Sequence, residues 1–255
     1  MPPQPNVRVR LLGELEVQRP DGSIVGWDEW RTGKTMDLLR ILALNNGRPV
    51  RMSSVVDKLW PSVSLDRARA SVRTAGSQIR RAIGVNCIVR QSDGLLLRGA
   101  WVDAIRFEVD ARWVLVASRA GNHARTFALT QAAERLYRGD FHAYNDESPW
   151  ARAERDQLRQ TRRAMLCEAA EAAIALGSYP AALDFAGRAV RIERTSEAAH
   201  RALMRAHAAL GEIASALRVF EECRVTLAEE LGADPSMQTQ ALHVRLLRGE
   251  NAGYN

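Results

Sequence analysis

Lysine is nearly missing from this chain: of its 36 basic residues, only Lys34 and Lys58 are not arginine. Planar guanidinium forks, which pair bidentately with carboxylate, phosphate and guanine, replace diffuse point charge. Cysteine is scarce as well. Cys87, Cys167 and Cys223 are widely separated, odd in number and outside any CxxC or Cys/His spacing. That argues against a zinc site or a disulfide framework and predicts buried or half-buried free thiols of a reduced cytoplasm. No stretch approaches 18 consecutive apolar residues, which excludes a membrane-spanning helix. The N-terminus MPPQPNVRVR lacks the apolar core of a secretory signal. The histidines, His123, His142, His200, His207 and His243, show no HExxH or paired-ligand spacing, and no Ser-His-Asp or paired-carboxylate arrangement stands out. The sequence therefore predicts no catalytic residues, no metal and no cofactor.

What is present is an uneven charge. Residues 1–100 hold 16 Lys or Arg against 9 Asp or Glu, whereas residues 101–255 hold 20 against 21. A basic N-terminal part on a neutral remainder is the asymmetry of a nucleic-acid-binding domain joined to something else. The basic part concentrates its arginines in Ser64 to Gly84. On a helical wheel, Ala68, Val72, Ala75, Gly76, Ile79 and Ile83 make one apolar stripe. Arg67, Thr74, Ser77, Gln78 and Arg81 fall opposite it, with Ser71, Arg73 and Arg80 on the shoulders. Cationic forks beside short hydrogen-bonding side chains suit a helix lying in a DNA major groove. A solvated surface helix is the competing reading of such a helix taken alone.

Its surroundings weigh against that reading. Residues 1–6 form a proline-rich arm, expected to be disordered. Val7–Leu12 and Glu14–Val17 alternate as strands, and Ile24-Val25 begins a return strand after the Pro20-Asp-Gly turn. Thr32 caps a helix through Ala43, Ser53 or Ser54 caps a short helix ending before Pro61, and Ser64 caps the arginine helix. Cys87–Arg90 and Leu95–Arg98 flank Ser92-Asp93-Gly94, a hairpin signal that places Arg90 and Arg98 on a basic wing. Thr32-Gly33-Lys34-Thr35 imitates the end of a phosphate-binding loop, but the glycine required five positions before Gly33, where Asp28 stands, is absent. Thr32 and Lys34 suit a DNA phosphate at a helix N-terminus instead. The tryptophans Trp27, Trp30, Trp60, Trp101, Trp113 and Trp150 read as core anchors.

From Asp103 the pattern is helical: Ala104 to Ser118, Thr126 to Tyr137, and Pro149 to Leu176. Gly177-Ser-Tyr-Pro-Ala-Ala-Leu then recurs as Gly211-Glu-Ile-Ala-Ser-Ala-Leu, an offset of 34 residues, the tetratricopeptide period. The predicted fold is mostly α with small β elements: an N-terminal winged helix-turn-helix (residues 7–101), then a C-terminal all-α tetratricopeptide-like repeat domain (102–248) and a tail (249–255).

These residues resemble the Streptomyces antibiotic regulatory protein family, which joins an OmpR-type winged helix to a bacterial transcriptional activator domain. The matching residues are Lys34 with Leu38-Leu39, Leu59-Trp60-Pro61, Ala70-Ser71-Val72-Arg73, Ile79-Arg80-Arg81, Arg106-Phe107-Glu108, Tyr137-Arg138-Gly139 and Glu221 to Gly232 with Asp234-Pro235-Ser236. The chain departs from the family at Gly76, where an aliphatic residue is usual, and at Arg194-Thr195, where Asp-Pro is usual. The resemblance implies a non-enzymatic, cytoplasmic transcriptional activator. It implies a homodimer on promoter direct repeats near the −35 element, recruiting RNA polymerase through its sigma and alpha subunits, for a secondary-metabolite gene cluster. Arg67, Thr74, Gln78 and Arg81 are the expected base readers. Thr32, Lys34, Ser71, Arg73, Ser77, Arg80, Arg90 and Arg98 are the expected backbone contacts. A repeat scaffold whose winged helix does not bind DNA, and a repressor using the same reader, are the alternatives.

Overall fold

The computed structural model describes residues 7–45, 47–84 and 86–249. The expected N-terminal arm and, apart from Gly249, the tail lie outside the described residues. The chain divides into two compact units: residues 7–108 with 134–158, and residues 109–133 with 159–249.

The first unit begins with β1 (Val7–Arg10) and β2 (Glu16–Gln18), paired antiparallel through Val9 and Val17. A third strand, β6 (Ala100–Val102), runs parallel to β1, with Val9 opposite Val102. The expected return strand at Ile24 is only an isolated bridge to Gln18, followed by a 3-10 turn over Trp27–Trp30. Three helices follow: α1 (Gly33–Leu44), α2 (Met52–Leu59) and α3 (Leu65–Ile83). Thr32 caps α1, its hydroxyl oxygen accepting the Thr35 N–H at 3.2 Å. Neither Ser53 nor Ser54 caps α2. The helix starts at Met52 because the two-residue strand β3 (Val50–Arg51) leads straight into it, and the Met52 N–H donates to the Asp93 carbonyl at 2.9 Å. Ser64 stands at the N-cap of α3 without a side-chain capping bond. β4 (Ile88–Gln91) and β5 (Gly94–Leu97) form the expected hairpin around Ser92-Asp93, and β3 adds to β5 as a third strand.

Buried carboxylates tie distant segments of this unit together. The Asp103 carboxylate accepts the N–H groups of Leu11 and Leu12 at 2.7 and 3.2 Å, fixing the end of β1 where the next helix begins. Burial pushes this carboxyl above the usual range, against the pull of those donors. In α1, Asp37 pairs with Arg40 at 3.0 Å, both buried, and accepts the Tyr144 N–H at 2.8 Å. The ring of Tyr144 lies over Gly33, where an added Cβ would come within 1.9 Å of it. The glycine that imitated a phosphate loop is the seat of this tyrosine. Arg155 holds the same segment, donating to the Phe141 carbonyl at 2.9 Å and pairing with Asp146.

Helices α4 (Asp103–Arg119) and α6 (Pro149–Ala175) contribute residues to both units, and α5 is His123–Glu134, three residues ahead of its expected start. The second unit continues with α7 (Tyr179–Ile192), α8 (Glu197–Ala209), α9 (Ile213–Leu231) and α10 (Met237–Leu247). The 34-residue offset is visible directly. Gly177 and Gly211 both turn with positive φ, +71° and +79°, just before α7 and α9, a conformation that favours glycine. Ala182 and Ala216, one helical turn into each repeat, are fully buried. The core between α6, α7 and α8 is largely alanine, with Ala170, Ala173, Ala186, Ala189, Ala202 and Ala206 around Phe185.

The expectation that all six tryptophans anchor the core is corrected. Trp30, Trp60 and Trp150 are buried and Trp101 is half-buried, but Trp27 and Trp113 are 66% and 52% exposed. Trp113 stands off the α4 stripe of Ala104, Phe107, Ala111 and Val114, and Trp27 opens the 3-10 turn beside exposed Asp28 and Glu29.

Candidate nucleic-acid interface

Helix α3 has the two faces its sequence predicts. Ala68, Val72, Ala75, Gly76, Ile79 and Ile83 are buried, joined by Ala82. Arg67, Arg73, Thr74, Ser77 and Arg81 are exposed, and Ser71, Gln78 and Arg80 are half-buried. Gly76 has room to spare: a Cβ there would meet nothing closer than the Arg80 guanidinium at 3.8 Å.

The face is not a row of loose side chains. The hydroxyls of Ser71 and Thr74 donate to the Arg67 and Ala70 carbonyls, both at 3.1 Å, so they follow the helix backbone. Arg80 donates from Nε to the Ile88 carbonyl at 3.0 Å, joining the end of α3 to the first wing strand. Arg19 donates to the Ala82 carbonyl at 2.6 Å and pairs with Glu29, fastening the Trp27–Trp30 turn beside α3. Gln78 accepts from the Thr35 hydroxyl at 2.6 Å, which links the arginine face to the first turn of α1.

The remaining predicted backbone contacts are spread around α3. Thr32 is exposed at the start of α1. Lys34 is exposed too, but its ammonium sits 5.4 Å from the Trp60 ring centre. It lines a cleft of about 1160 Å³ with Trp60, Tyr144 and Trp150, into which Lys58 also faces. Arg90 is exposed on β4, and Arg98 is exposed just past β5, its N–H donating to the Cys87 carbonyl at 2.8 Å. Sequence reasoning missed two residues. Arg69 is exposed at the N-terminal end of α3, although the wheel places it near the stripe. Thr35 is buried in α1, and a threonine three residues after a threonine cap was the only sign of it.

Burial pushes the Cys87 thiol up to about 11, so it is not a thiolate at neutral pH. Burial does the same to Cys223, also up to about 11. Among the described residues, no group of three or more His, Cys, Asp or Glu is placed to hold a metal ion, and no helix is long and apolar enough to cross a membrane.

The model of a known family, the bacterial transcriptional activator domain, matches residues 102–247. The chain belongs to this family. Its relatives bear out the resemblance to the antibiotic regulators. The regulatory protein AfsR of Streptomyces coelicolor is 28% identical over 234 residues, covering 88% of this chain and 24% of AfsR. The transcriptional regulatory protein EmbR of Mycobacterium tuberculosis is 27% identical over 252 residues, 93% of this chain and 62% of EmbR. MoaR1 of the same organism, another transcriptional regulatory protein, is 27% identical over 255 residues, 95% of this chain and 79% of MoaR1. The chain thus spans about a quarter of AfsR and under two thirds of EmbR. The solved structure of M. tuberculosis EmbR in complex with a low-affinity phosphopeptide superposes with a TM-score of 0.83 at 24% identity, covering 96% of this chain and 66% of that one. The fold is therefore a winged helix with a helical repeat domain, as the sequence predicts.

Proposed function

We propose that this member of the bacterial transcriptional activator domain family is a cytoplasmic, sequence-specific DNA-binding activator of transcription and not an enzyme. The observation that carries the reading is the exposed arginine face of α3, seated on a buried stripe and flanked by the β4–β5 wing. The surplus of basic residues in the first hundred, and relatives that are named transcriptional regulators, support it. Residues 7–101 are the reader and 102–248 the activator domain. Arg67, Thr74, Gln78 and Arg81 meet base edges in the major groove. Thr32, Lys34, Ser71, Arg73, Ser77, Arg80, Arg90 and Arg98 meet the backbone. One winged helix touches few base pairs, so useful specificity takes two protomers on direct repeats roughly 10–10.5 bp apart. Placed beside a −35 element, the helical domain recruits RNA polymerase through its sigma and alpha subunits, at the promoters of a secondary-metabolite gene cluster.

The test is affinity for promoter fragments carrying one or two half-sites, across a salt series. Binding falls steeply with salt, with a log–log slope of about −0.9 per phosphate neutralised. Arg90→Ala weakens all sequences alike, whereas Arg81→Ala relaxes base preference. Equal affinity for one and two half-sites overturns the dimer, and no binding at low salt leaves only a protein-binding scaffold. In vitro transcription that falls on adding the protein makes it a repressor.

A further inference from the structure

We infer that Thr35, buried in α1 and out of reach of DNA, sets which base Gln78 accepts, by holding the Gln78 amide in one orientation. The inference rests on α3 being the DNA reader. A glutamine side chain is ambivalent in a groove: rotation of its terminal amide by half a turn exchanges a donor for an acceptor at the same point. A free Gln78 would thus tolerate base edges of either kind. Here a chain of hydroxyls opposes that rotation. The Thr35 N–H donates to the Thr32 hydroxyl oxygen at 3.2 Å, and the two threonine hydroxyls lie 2.9 Å apart. The Thr35 hydroxyl then donates to Gln78 Oε1 at 2.6 Å. Thr35 has one hydroxyl proton, and giving it to Gln78 leaves the Thr32 hydroxyl to donate to Thr35. Every hydroxyl proton in the chain is used once, and the run ends on the glutamine oxygen.

Thr35 is only 1% exposed, so water does not compete for that proton. Turning the amide over would bring its NH2 against the Thr35 hydroxyl, which can accept it only if both threonine protons reverse together, that of Thr35 toward Thr32 and that of Thr32 outward. In the arrangement seen the oxygen is on the α1 side, which leaves the NH2 as the end free for the groove. In that state Gln78 is a donor. It accepts a pair offering a purine N7, guanine O6 or thymine O4 at that point and rejects an amino group such as cytosine N4. The N-cap of one helix thus fixes the reading polarity of another, across 43 residues of sequence.

The test is selection of binding sites from a random DNA pool, run on the full chain and on Gln78→Ala, Thr35→Val and Thr35→Ser. Gln78→Ala identifies the position read by Gln78 as the one whose preference it abolishes. Thr35→Val keeps the side-chain shape and removes the hydroxyl. It should lower discrimination against the amino-bearing edge at that position by about five- to tenfold, leaving the salt slope and the other positions unchanged. Thr35→Ser keeps the hydroxyl and should retain the wild-type profile, whatever the valine variant does to stability. Thr35→Val that weakens every sequence alike while keeping the wild-type preference overturns the inference and makes Thr35 a packing residue. So does a wild-type preference for an amino group at that position, which needs the oxygen turned outward. A wild-type chain with no sequence preference overturns the reader itself, a separate result.

Discussion

In the first unit, residues more than 90 apart meet through buried carboxylates: Asp103 with Leu11 and Leu12, and Asp37, itself paired with Arg40, with the Tyr144 N–H. In the second, consecutive helices meet through small apolar faces: Ala170 and Ala173 on α6, Ala182, Ala186 and Ala189 on α7, and Ala202 and Ala206 on α8. The difference has a physical origin. A unit assembled from scattered segments cannot rely on repeated local contacts, so it fixes its register with directional bonds that have one satisfactory partner set. A stack of helical hairpins buries the same kind of face repeatedly, and close approach between neighbours suffices. The first arrangement is intolerant of lost partners, the second of added volume.

Removing a partner from the first unit is expected to have the largest effect. Asp37→Ala leaves Arg40 as a buried cation without its counter-charge and strands the Tyr144 N–H, at a cost of about 3–5 kcal/mol in denaturant unfolding. Burial already presses the Arg40 guanidinium below its usual range, with Asp37 opposing. A loss under about 1 kcal/mol would mean that apolar contacts, not the ion pair, hold the segment. In the second unit, Ala202→Leu removes no polar partner and adds volume where α8 meets α7. It should cost about 1–3 kcal/mol in the same measurement. An unchanged midpoint would show that alanine there does not set the helix spacing. The smallest expected effect has the opposite sign. Gly76→Ala fills open space in a buried helix face and should stabilise the protein by roughly 0.5–1 kcal/mol, read as a raised melting temperature. A fall would mean that the α3 backbone there relies on glycine.

What the sequence discloses follows the same division. The α3 stripe is legible because its period is helical, the wing because Ser92-Asp93-Gly94 is turn chemistry, and the repeat because α7 and α9 begin 34 residues apart. Each is a local pattern. The start of α2 is hidden because its first amide is satisfied by Asp93 of the wing and not by a neighbouring serine. β6 is hidden because three residues become a strand only when β1, at the other end of the unit, pairs with them. The candidate interface divides likewise. Its exposed arginines are visible on a wheel, but the Thr35 hydroxyl on Gln78 and the Arg80 bond to the wing join elements that no periodicity connects. Nor does any pattern in residues 134–158 reveal their partners, since Tyr144 and Asp37 are 107 positions apart.

That last pairing bears on inheritance. The match to the activator domain starts at residue 102, yet the Tyr144 amide that Asp37 accepts, the Tyr144 ring over Gly33 and the Phe141 bridge to Leu12 all come from beyond that point. A gene fusion cut at residue 102 would transmit a winged helix stripped of part of its own frame. Exchange of the winged helix between such regulators, by recombination or by engineering, has to carry residues 134–158 along with it. Otherwise it must recreate their contacts from the recipient's side.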